Sequence, residues 1–373
     1  SCATGHRGTL CASCAKGYYN DVGNECADCG SPAWVGGRFF LVLFVALIVL
    51  GGFFINSWSS RSSESTIEME IGKILVNHLQ MITIVGAVQL RWPPRARELF
   101  PLASITSSFA TTSFSLECLL DTPSPFARTA VVFTMPLWLV LFAAGFWWVV
   151  ERVEERYPAI RQMLRGAEEK PPPSTPPPTT SLWWDRFLVS LLVIAFLVPS
   201  PLASAAFKLL TCRPIHPEDD PTAVQYRLGM DLDTLCTDPD NLTLMLLLAL
   251  PVIFIVCIGF PVASWVFLRS IGPRKLQTWQ WRSRVGFLTN GYRPSLYMWE
   301  SIVALRKVAF AFVTTTLAPS GGGIQVATAL LVLIASLVSH ATFHPFHTPL
   351  LNHLDTISLV TSCITLLGGL FIV

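Results

Sequence analysis

Charged residues are scarce in this sequence of 373 residues, of which Asp, Glu, Lys and Arg make up 13%. Soluble globular chains carry about 25% charged residues. Hydrophobic residues make up 52%, and the mean hydropathy is +0.52. This composition excludes a chain that folds entirely in water. The 26 basic and 24 acidic residues leave a formal net charge of only +2, so no overall field indicates a nucleic-acid partner.

Recognisable catalytic motifs are lacking as well. The sequence has no G-x-S-x-G, no glycine-rich phosphate loop and no H-E-x-x-H, and the three glycines at 321–323 fit a short turn. Each of these motifs places a nucleophile, a phosphate cradle or a metal where its chemistry requires it. Their absence indicates that the chain is not an enzyme, and neither a cofactor nor a metal is expected.

Long apolar runs are abundant instead. A bilayer core about 30 Å thick is crossed by roughly 20 apolar helical residues. Pro199 and Pro201 interrupt one run, which membrane helices tolerate when neighbouring groups bind the freed carbonyls. The runs predict eight spans, near 39–55, 72–90, 129–150, 187–207, 244–268, 297–317, 324–339 and 355–373. We expect an all-α, polytopic transmembrane helical bundle at 35–373, preceded at 1–34 by a small disulfide-rich extracellular module.

The distribution of basic residues predicts the orientation of these spans, because cytoplasmic loops carry an excess of Lys and Arg. With the N-terminus outside, the inner loops hold thirteen basic residues and the outer loops hold seven. Stable disulfides require the oxidising side of a membrane, and this orientation places no cysteine in an inner loop. Both signals favour an extracellular or luminal N-terminus, in the plasma membrane or in a ciliary or secretory-pathway membrane.

Cysteine is concentrated near the N-terminus, with the spacing C-x8-C-x2-C-x11-C-x2-C. Paired C-x2-C steps fit a four-thiolate zinc site, but disulfides are the favoured cross-links for an external stretch with almost no apolar core. Because the stretch has an odd number of cysteines, five, one thiol is expected to pair with a cysteine upstream or with Cys118. Cys212 and Cys236 are expected to close a second external loop, at 208–243. The disulfide candidates are Cys2, Cys11, Cys14, Cys26, Cys29, Cys118, Cys212 and Cys236.

Several shorter segments carry weaker signals. The sequence begins at Ser1 with no signal pattern before its cysteines, which is typical of a processed product. Asn241 begins an N-L-T sequon and is a candidate for glycosylation on the outer side. The inner loop at 166–181 is rich in proline and favours polyproline II, either as a stiff spacer, which we prefer, or as a ligand for an SH3-like groove. The charged extension of the third span, which includes Glu154, is expected to be solvated.

Basic and aromatic residues are interleaved between the fifth and sixth predicted spans. Such a mixture is typical of segments at the headgroup level of the inner leaflet. It also occurs in nucleic-acid binding, but a short loop between two spans favours the lipid bilayer as partner. The predicted lipid contacts are Arg274, Lys275, Trp279, Trp281, Arg282 and Arg284.

Ionisable residues also lie inside predicted spans, where they are costly and mark functional sites. Glu300 and Lys307 are seven residues apart and share one face of the sixth span, whereas Arg306 is rotated by about 100° from Lys307. The expected partners of the cations are Glu300 and Asp355, in a gating core or in a structural ion pair; alternatively, the cations snorkel to the interface. The intramembrane polar candidates are Glu300, Arg306, Lys307, Asp355, His78 and Gln80.

Three histidines follow the seventh predicted span with the spacing H-x3-H-x2-H. They are His340, His344 and His347. Pro345 interrupts the helical geometry that would bring two imidazoles together, and no carboxylate follows until Asp355. A metal site is therefore not expected here.

Short motifs near both ends support a family resemblance. The segment at 5–19, G-H-R-G-T-L-C-A-S-C-A-K-G-Y-Y, resembles an ephrin-receptor-like or EGF-like repeat. The motifs K-I-L at 73–75, H-L-Q at 78–80, G-F-L at 286–288 and W-E at 299–300 resemble the C-terminal membrane domain of TRP-like proteins of fungi and protists. Nearly the whole chain is thus similar to cysteine-rich polytopic membrane proteins of protists and algae with a TRP-like transmembrane domain.

This resemblance implies a cation channel or a sensory receptor subunit. Its expected partners are inorganic cations, an extracellular protein or glycan, and further copies or other subunits in a homo- or hetero-oligomer. The alternative is a non-conducting membrane anchor or assembly subunit that binds an extracellular structure or a channel partner. A third hypothesis is a transporter that uses the proline-interrupted fourth span and the fifth span to bind its substrate.

Overall fold

The structure is a computed structural model that describes residues 2–20, 26–59, 67–88, 90, 92–93, 118, 125–159, 182–216 and 223–371. The proline-rich loop at 166–181 and the acidic residues at 218–220 lie outside the described residues. The described part is mostly helical, with short strands near the N-terminus and between Cys212 and Leu235. The predicted helical class is therefore confirmed.

Helices occupy all eight positions at which spans are predicted. In chain order, the helices are α1 (Pro32–Ser59), α2 (Ile67–Gly86), α3 (Pro125–Arg156), α4 (Leu182–Leu197), α5 (Pro199–Leu210), α6 (Pro239–Ile271), α7 (Trp279–Thr289), α8 (Trp299–Thr316), α9 (Gly322–Phe343) and α10 (Pro349–Phe371). A single helical turn at Pro273–Leu276 links α6 to α7. The fourth predicted span corresponds to α4 and α5 together.

Five of these helices are long and apolar enough to cross a membrane, namely α1, α3, α6, α9 and α10. The bent pair α4 and α5 makes a sixth if it is one span. Only 11–33% of the most apolar stretch of each of the five helices is buried, so most of their apolar surface faces outward. Soluble monomers rarely expose apolar patches larger than a few hundred Å². The remaining two positions are α2 and α8, which are less apolar because each carries ionisable residues; the count of eight spans stays a prediction.

The two largest apolar cores of the described residues join different sets of helices. One core joins α1, α3 and α4 with the start of α5 and the end of α7, and includes Phe54, Trp147 and Phe287. The other joins α2, α5, α8, α9 and α10 with Cys257 of α6, and includes Phe207 and Phe310. Among the described elements, α5 and α8 pack against each other most extensively.

Proline disturbs two of the helical segments. Helix α4 ends at Leu197 and α5 begins at Pro199, with a bend of 42° between them. Helix α6 widens into π-helix at Met245–Ala249 and Ile253–Gly259, close to Pro251 and Pro261. A proline cannot donate the N–H that the preceding turn requires, and a π turn is one way to accommodate it.

The strands form small antiparallel sheets outside the helices. Strands β1 (His6–Arg7) and β2 (Ser13–Cys14) pair, as do β3 (Tyr18–Asn20) and β4 (Cys26–Asp28). Strands β5 (Cys212–Ile215), β6 (Gln225–Leu228) and β7 (Asp231–Leu235) form a three-stranded sheet. The first four strands belong to the N-terminal module, and the last three lie in the connection between α5 and α6.

All eight candidate cysteines are paired. The disulfides join Cys2 to Cys11, Cys14 to Cys26, Cys29 to Cys118, and Cys212 to Cys236. The expectation of disulfides rather than a zinc site is confirmed, and the odd N-terminal thiol, Cys29, pairs with Cys118 within the chain. The four disulfides lie next to the starts of α1, α3 and α6 and the end of α5, which we call the disulfide end of the bundle.

Candidate functional site

Ionisable side chains from four helices are buried together at the end of the bundle opposite the disulfides. We call them the buried ionisable cluster: Glu70 and Lys73 on α2, Glu300, Arg306 and Lys307 on α8, His340 on α9, and Asp355 on α10. Three are lysine or arginine and three are carboxylic acids, so their formal charges balance when His340 is counted as neutral. Glu70, Lys73, Glu300 and Asp355 lie near the starts of their helices and His340 near the end of α9, whereas Arg306 and Lys307 lie about two turns into α8.

The first half of the cluster surrounds Glu70 and Glu300. Lys73 Nζ lies 2.7 Å from Glu70 Oε2 and donates to the carbonyl of Phe287 at 3.0 Å. The hydroxyl of Tyr292 donates to Glu300 Oε2 at 2.8 Å. Glu70 is thus paired with a lysine one turn further along α2, and Glu300 with a tyrosine in the loop before α8.

Gly291 permits the close contact between this loop and α2. Its φ is +84°, and a Cβ built at this position would lie 2.5 Å from Cδ of Glu70. Any L-residue with a side chain would therefore be strained in its backbone and would collide with the carboxyl group. The loop before α8 is shaped to fit against a buried acid.

The second half of the cluster surrounds Asp355. Arg306 Nη2 lies 4.0 Å from Asp355 Oδ1, and His340 Nδ1 lies 3.0 Å from Asp355 Oδ2. The other ring nitrogen of His340 faces the carbonyl of Asn352 at 3.1 Å. A neutral imidazole donates from one nitrogen only, whereas the imidazolium donates from both. His340 therefore lies between two acceptors and links the Asp355 carboxylate to the backbone at Asn352.

Lys307 differs from the other cations of the cluster. Its residue is 2% exposed, and Nζ lies 4.1 Å from the centroid of the Phe196 ring. Among the residues that the structure describes, it makes no ion pair. A cation over an aromatic face is attracted by the ring quadrupole, but less strongly than by a carboxylate. Lys307 is thus a buried ammonium whose counter-charges are at a distance.

Gln80 joins α2 to the proline break. Its amide Nε2 donates to the carbonyl of Leu197 at 3.0 Å. Pro201 lies four residues after Leu197 and has no N–H for that carbonyl, so Gln80 supplies the missing donor. His78, half-buried on the same helix, forms a hydrogen bond with Ser358 of α10 at 3.0 Å. These two predicted polar residues therefore join helices and do not share one site.

A second buried ion pair lies between α3 and α4. Arg186 Nη2 lies 2.6 Å from Glu154 Oε1, and both side chains are at most 5% exposed. The guanidinium also faces the rings of Trp58 and Trp147 at 5.4 and 5.1 Å. The expectation that Glu154 belongs to a solvated extension is therefore wrong, because α4 returns beside α3 and brings a cation to it.

The predicted lipid contacts lie around α7 and the turn before it. Arg274, Lys275 and Arg284 are exposed, while Trp279, Trp281 and Arg282 are partly buried. Arg284 approaches Asp185 at 4.0 Å, with about half of its side chain exposed. Contact of this surface with lipid remains a prediction.

The sequon at Asn241 is not available for a glycan in the folded chain. Asn241 is 1% exposed and lies in the first turns of α6, where Nδ2 donates to the carbonyl of Cys236 at 3.3 Å. A glycan on this nitrogen would have no room and would break that bond. This burial argues against glycosylation at Asn241, which stays a prediction.

Comparisons with protein-family models, with curated proteins and with solved structures find no match for this chain. The fold and the site alone define its class, which is that of helical proteins with several segments apolar enough to cross a membrane. Within that class, the residues brought together by the structure are the basis for assigning a function.

The structure brings together most of the intramembrane polar residues that the sequence predicted as candidates. Glu300, Arg306, Lys307 and Asp355 belong to one cluster, and Asp355 is the partner of Arg306 as expected. Sequence reasoning did not include Glu70 and Lys73, and it considered His340 only as part of a histidine motif. Glu70 and Lys73 are three residues apart on α2, a spacing that pairs opposite charges on a helix and could have indicated them.

Proposed function

We propose that this chain is an eight-span membrane protein with its disulfide end outside, and that it acts as a cation channel or sensory subunit of the TRP-like kind. In this proposal the buried ionisable cluster is the part that switches. The observation that carries the proposal is the loose pairing of the cations on α8, because it gives that helix more than one way to pair its charges.

The eight-span topology is supported by the positions of the helices. With α2 and α8 included, alternating spans put the four disulfides at one end and the cluster near the other. The connection from α6 to α8 lies at the cluster end. Between Asp240 and Glu300 the sequence has no acidic residue, whereas residues 269–296 contain six basic ones. An excess of basic residues supports a cytoplasmic position for that end.

Helix α8 is the element we expect to move. It carries Glu300, Arg306 and Lys307, and it contacts α2, α5, α6 and α9. The 4.0 Å separation of Arg306 from Asp355 is at the long limit of an ion pair, and within the part of the chain that the structure describes Lys307 has an aromatic ring and no carboxylate as its close partner. A rotation or a shift of α8 exchanges which cation faces Asp355 or Glu300, and such an exchange is a two-state switch inside a packed bundle.

Cation passage along the cluster is the function that this switch would serve. Rings or rows of carboxylates attract cations in channels, and buried cations nearby oppose their entry. Moving Lys307 and Arg306 relative to Glu300 and Asp355 therefore changes whether a cation is admitted. The external module and sheet would provide the surface that senses an extracellular protein or glycan.

The test is current recording from the purified full chain in planar bilayers. We expect cation currents in the unmodified protein, and a change of about fivefold or more in open probability for Asp355→Asn and for Lys307→Met. Asp240→Asn, at an exposed position at the start of α6, removes a charge at the disulfide end and serves as the matched control. Silence of the unmodified protein, in bilayers where a known channel conducts, contradicts the proposal.

The second candidate is a non-conducting assembly subunit. It is favoured by the balance of three acidic and three basic groups in the cluster, because a neutral, paired set also serves as a structural core. On this reading the bilayers are silent, and the cluster variants reduce recovery of an assembled complex from membranes without affecting any current.

A further inference from the structure

The N-terminal module touches the three-stranded sheet through the side chains of Asp233 and Arg227. Asp233 on β7 accepts a hydrogen bond from the backbone N–H of Thr9 at 2.7 Å and another from the hydroxyl of Ser13 at 2.9 Å. Arg227 on β6 donates to the carbonyl of Leu232 at 2.8 Å and reaches Thr9 Oγ1 at 3.3 Å. We call this group of Thr9, Ser13, Arg227 and Asp233 the clasp. It joins residues more than 210 positions apart in the sequence.

Gly8 makes the close approach of the clasp possible. Its φ is +75°, and a Cβ at this position would lie 2.3 Å from Asp233 Oδ2. A side chain here would be strained in its backbone and would displace the carboxylate. The module and the sheet are therefore closely fitted at Gly8, where an added methyl group would displace the Asp233 carboxylate from its position.

The sheet is in turn fixed to the membrane helices. The N–H of Gly229, in the turn between β6 and β7, donates to the carbonyl of Thr211 at 2.8 Å, directly after α5. The disulfide between Cys212 and Cys236 closes the same connection beside the start of α6. A displacement of β7 is thus passed to the end of α5 through short covalent and hydrogen-bonded links.

Helix α5 passes that displacement to α8. The hydroxyl of Thr211 lies 3.4 Å from the carbonyl of Thr315 at the end of α8, and the rings of Phe207 and Phe312 meet at 5.2 Å. These two helices have the most extensive contact among the described elements. Closely packed helices shift as rigid bodies, so a displacement at one end of α8 moves the whole helix.

We infer that the clasp couples the external module to α8, so that displacing the module shifts the helix that carries Glu300, Arg306 and Lys307. The coupling itself does not depend on conduction; only its consequence, the switching of the cluster, rests on the proposed function. A partner that pulls the module or takes the place of Asp233 at Thr9 and Ser13 would operate the clasp.

A free cysteine of the chain reports on the packing of α8. Cys257 on α6 is 1% exposed and packs in the same core as Phe207, Val308 and Phe310. With Cys363 replaced by serine, Cys257 is the remaining free thiol, because the other eight cysteines are in disulfides. Its alkylation rate measures how often the contact between α5, α6 and α8 opens.

The test uses the full chain in lipid nanodiscs and compares Asp233→Asn, Gly8→Ala and Ser13→Ala in the Cys363→Ser background. Amide hydrogen exchange of residues 2–20 reports whether the clasp holds the module, and alkylation of Cys257 by a membrane-permeant maleimide reports the coupling. We expect both rates to rise about fivefold in Asp233→Asn and Gly8→Ala, and less in Ser13→Ala. Asp240→Asn is the control for loss of an acidic charge on the same side.

Each outcome decides one part of the inference. Unchanged exchange in residues 2–20 shows that no clasp holds the module and overturns the inference. Faster exchange with an unchanged rate at Cys257 shows a clasp that is not coupled to α8, and also overturns it. Because neither readout involves current, silent bilayers would remove the proposed function and leave the coupling intact.

Discussion

Lys307 is a residue at which function and stability are expected to conflict. Burying an ammonium without a close carboxylate is costly, and replacing buried charges by apolar groups of similar size is often stabilising. Lys307→Met keeps the length of the side chain and its contact with Phe196 while removing the charge. We expect this variant to raise the free energy of unfolding by about 1–3 kcal/mol, measured by denaturation in mixed micelles.

Lys73→Met is the matched comparison for that prediction. Lys73 pairs with Glu70 and donates to the carbonyl of Phe287, so its removal leaves a buried carboxylate without its partner. Breaking a buried pair in this way costs about 3–5 kcal/mol. Equal destabilisation by both substitutions would show that Lys307 is as well paired as Lys73, and would contradict the role given to it.

The Asp233 carboxyl group determines how docking of the N-terminal module depends on pH. Partial burial tends to raise its pKa, but hydrogen bonds from Thr9 and Ser13 and the nearby charge of Arg7 outweigh this, so the pKa is lower than usual. A carboxyl group with a lowered folded-state pKa stabilises the fold fully above its unfolded pKa of about 3.9, and this contribution is lost as the pH falls through the folded value.

Docking of the N-terminal module should therefore withstand mild acid. We expect exchange in residues 2–20, corrected for the intrinsic effect of pH, to stay constant from pH 7 to about 4.5 and to increase only in stronger acid. The Asp233→Asn variant should lack that increase. An increase near pH 6 would identify another titrating group as the one that holds the module.

The residues of the cluster that could be predicted are those whose own sequence context is unusual, whereas roles that depend on another helix could not be predicted. Glu300, Arg306, Lys307 and Asp355 stand out because a charge inside an apolar run is unusual by itself. The role of His340 depends on Asp355 and Asn352, which lie on a different helix, and no local pattern encodes that contact. The same is true of Glu154, whose partner Arg186 is 32 residues away.

The break between α4 and α5 is the element whose stability depends most clearly on a neighbour. Pro201 leaves the carbonyl of Leu197 without its helical donor, and Gln80 supplies one from α2. We expect Gln80→Met to destabilise the protein by about 1–2 kcal/mol, because a buried acceptor is left unsatisfied. Denaturation in mixed micelles measures this.

A double-mutant cycle separates this role from general packing. Pro201→Ala restores an N–H four residues after Leu197, so the first turn of α5 can supply a donor to that carbonyl. The cost of Gln80→Met should then fall to less than half of its original value. A cost that is equal in both backgrounds would mean that Gln80 does not act through the Leu197 carbonyl.

The positions of the helices were largely predictable from the sequence, whereas their relations were not. Apolar runs of the right length mark α1, α3, α6, α9 and α10 almost directly. The 42° bend between α4 and α5 and the π-helical parts of α6 depend on how prolines are accommodated by their neighbours. Cys118 was one of two predicted partners for the odd N-terminal thiol, and the structure shows that this thiol is Cys29 and that it pairs with Cys118.

At the scale of the whole molecule, the number of spans depends on α2 and α8. If α8 crosses the membrane, the connection between α8 and α9 lies on the same side as the disulfides. If it does not, that connection stays on the side of the segment between α6 and α7. Ser320, exposed in the α8–α9 connection, and Arg274, exposed in the α6–α7 connection, distinguish the two arrangements.

Labelling of single cysteines in intact cells tests this topology. In a background where Cys257 and Cys363 are serine, we expect a membrane-impermeant maleimide to label Ser320→Cys and Asp240→Cys without permeabilisation. Arg274→Cys should react only after the membrane is opened, because its basic surroundings favour the cytoplasmic side. Protection of Ser320→Cys together with Arg274→Cys would show that α8 does not span. The ionisable cluster would then lie at the membrane surface, where its charges are solvated, and the switching role proposed for Lys307 and Arg306 would lose its physical basis.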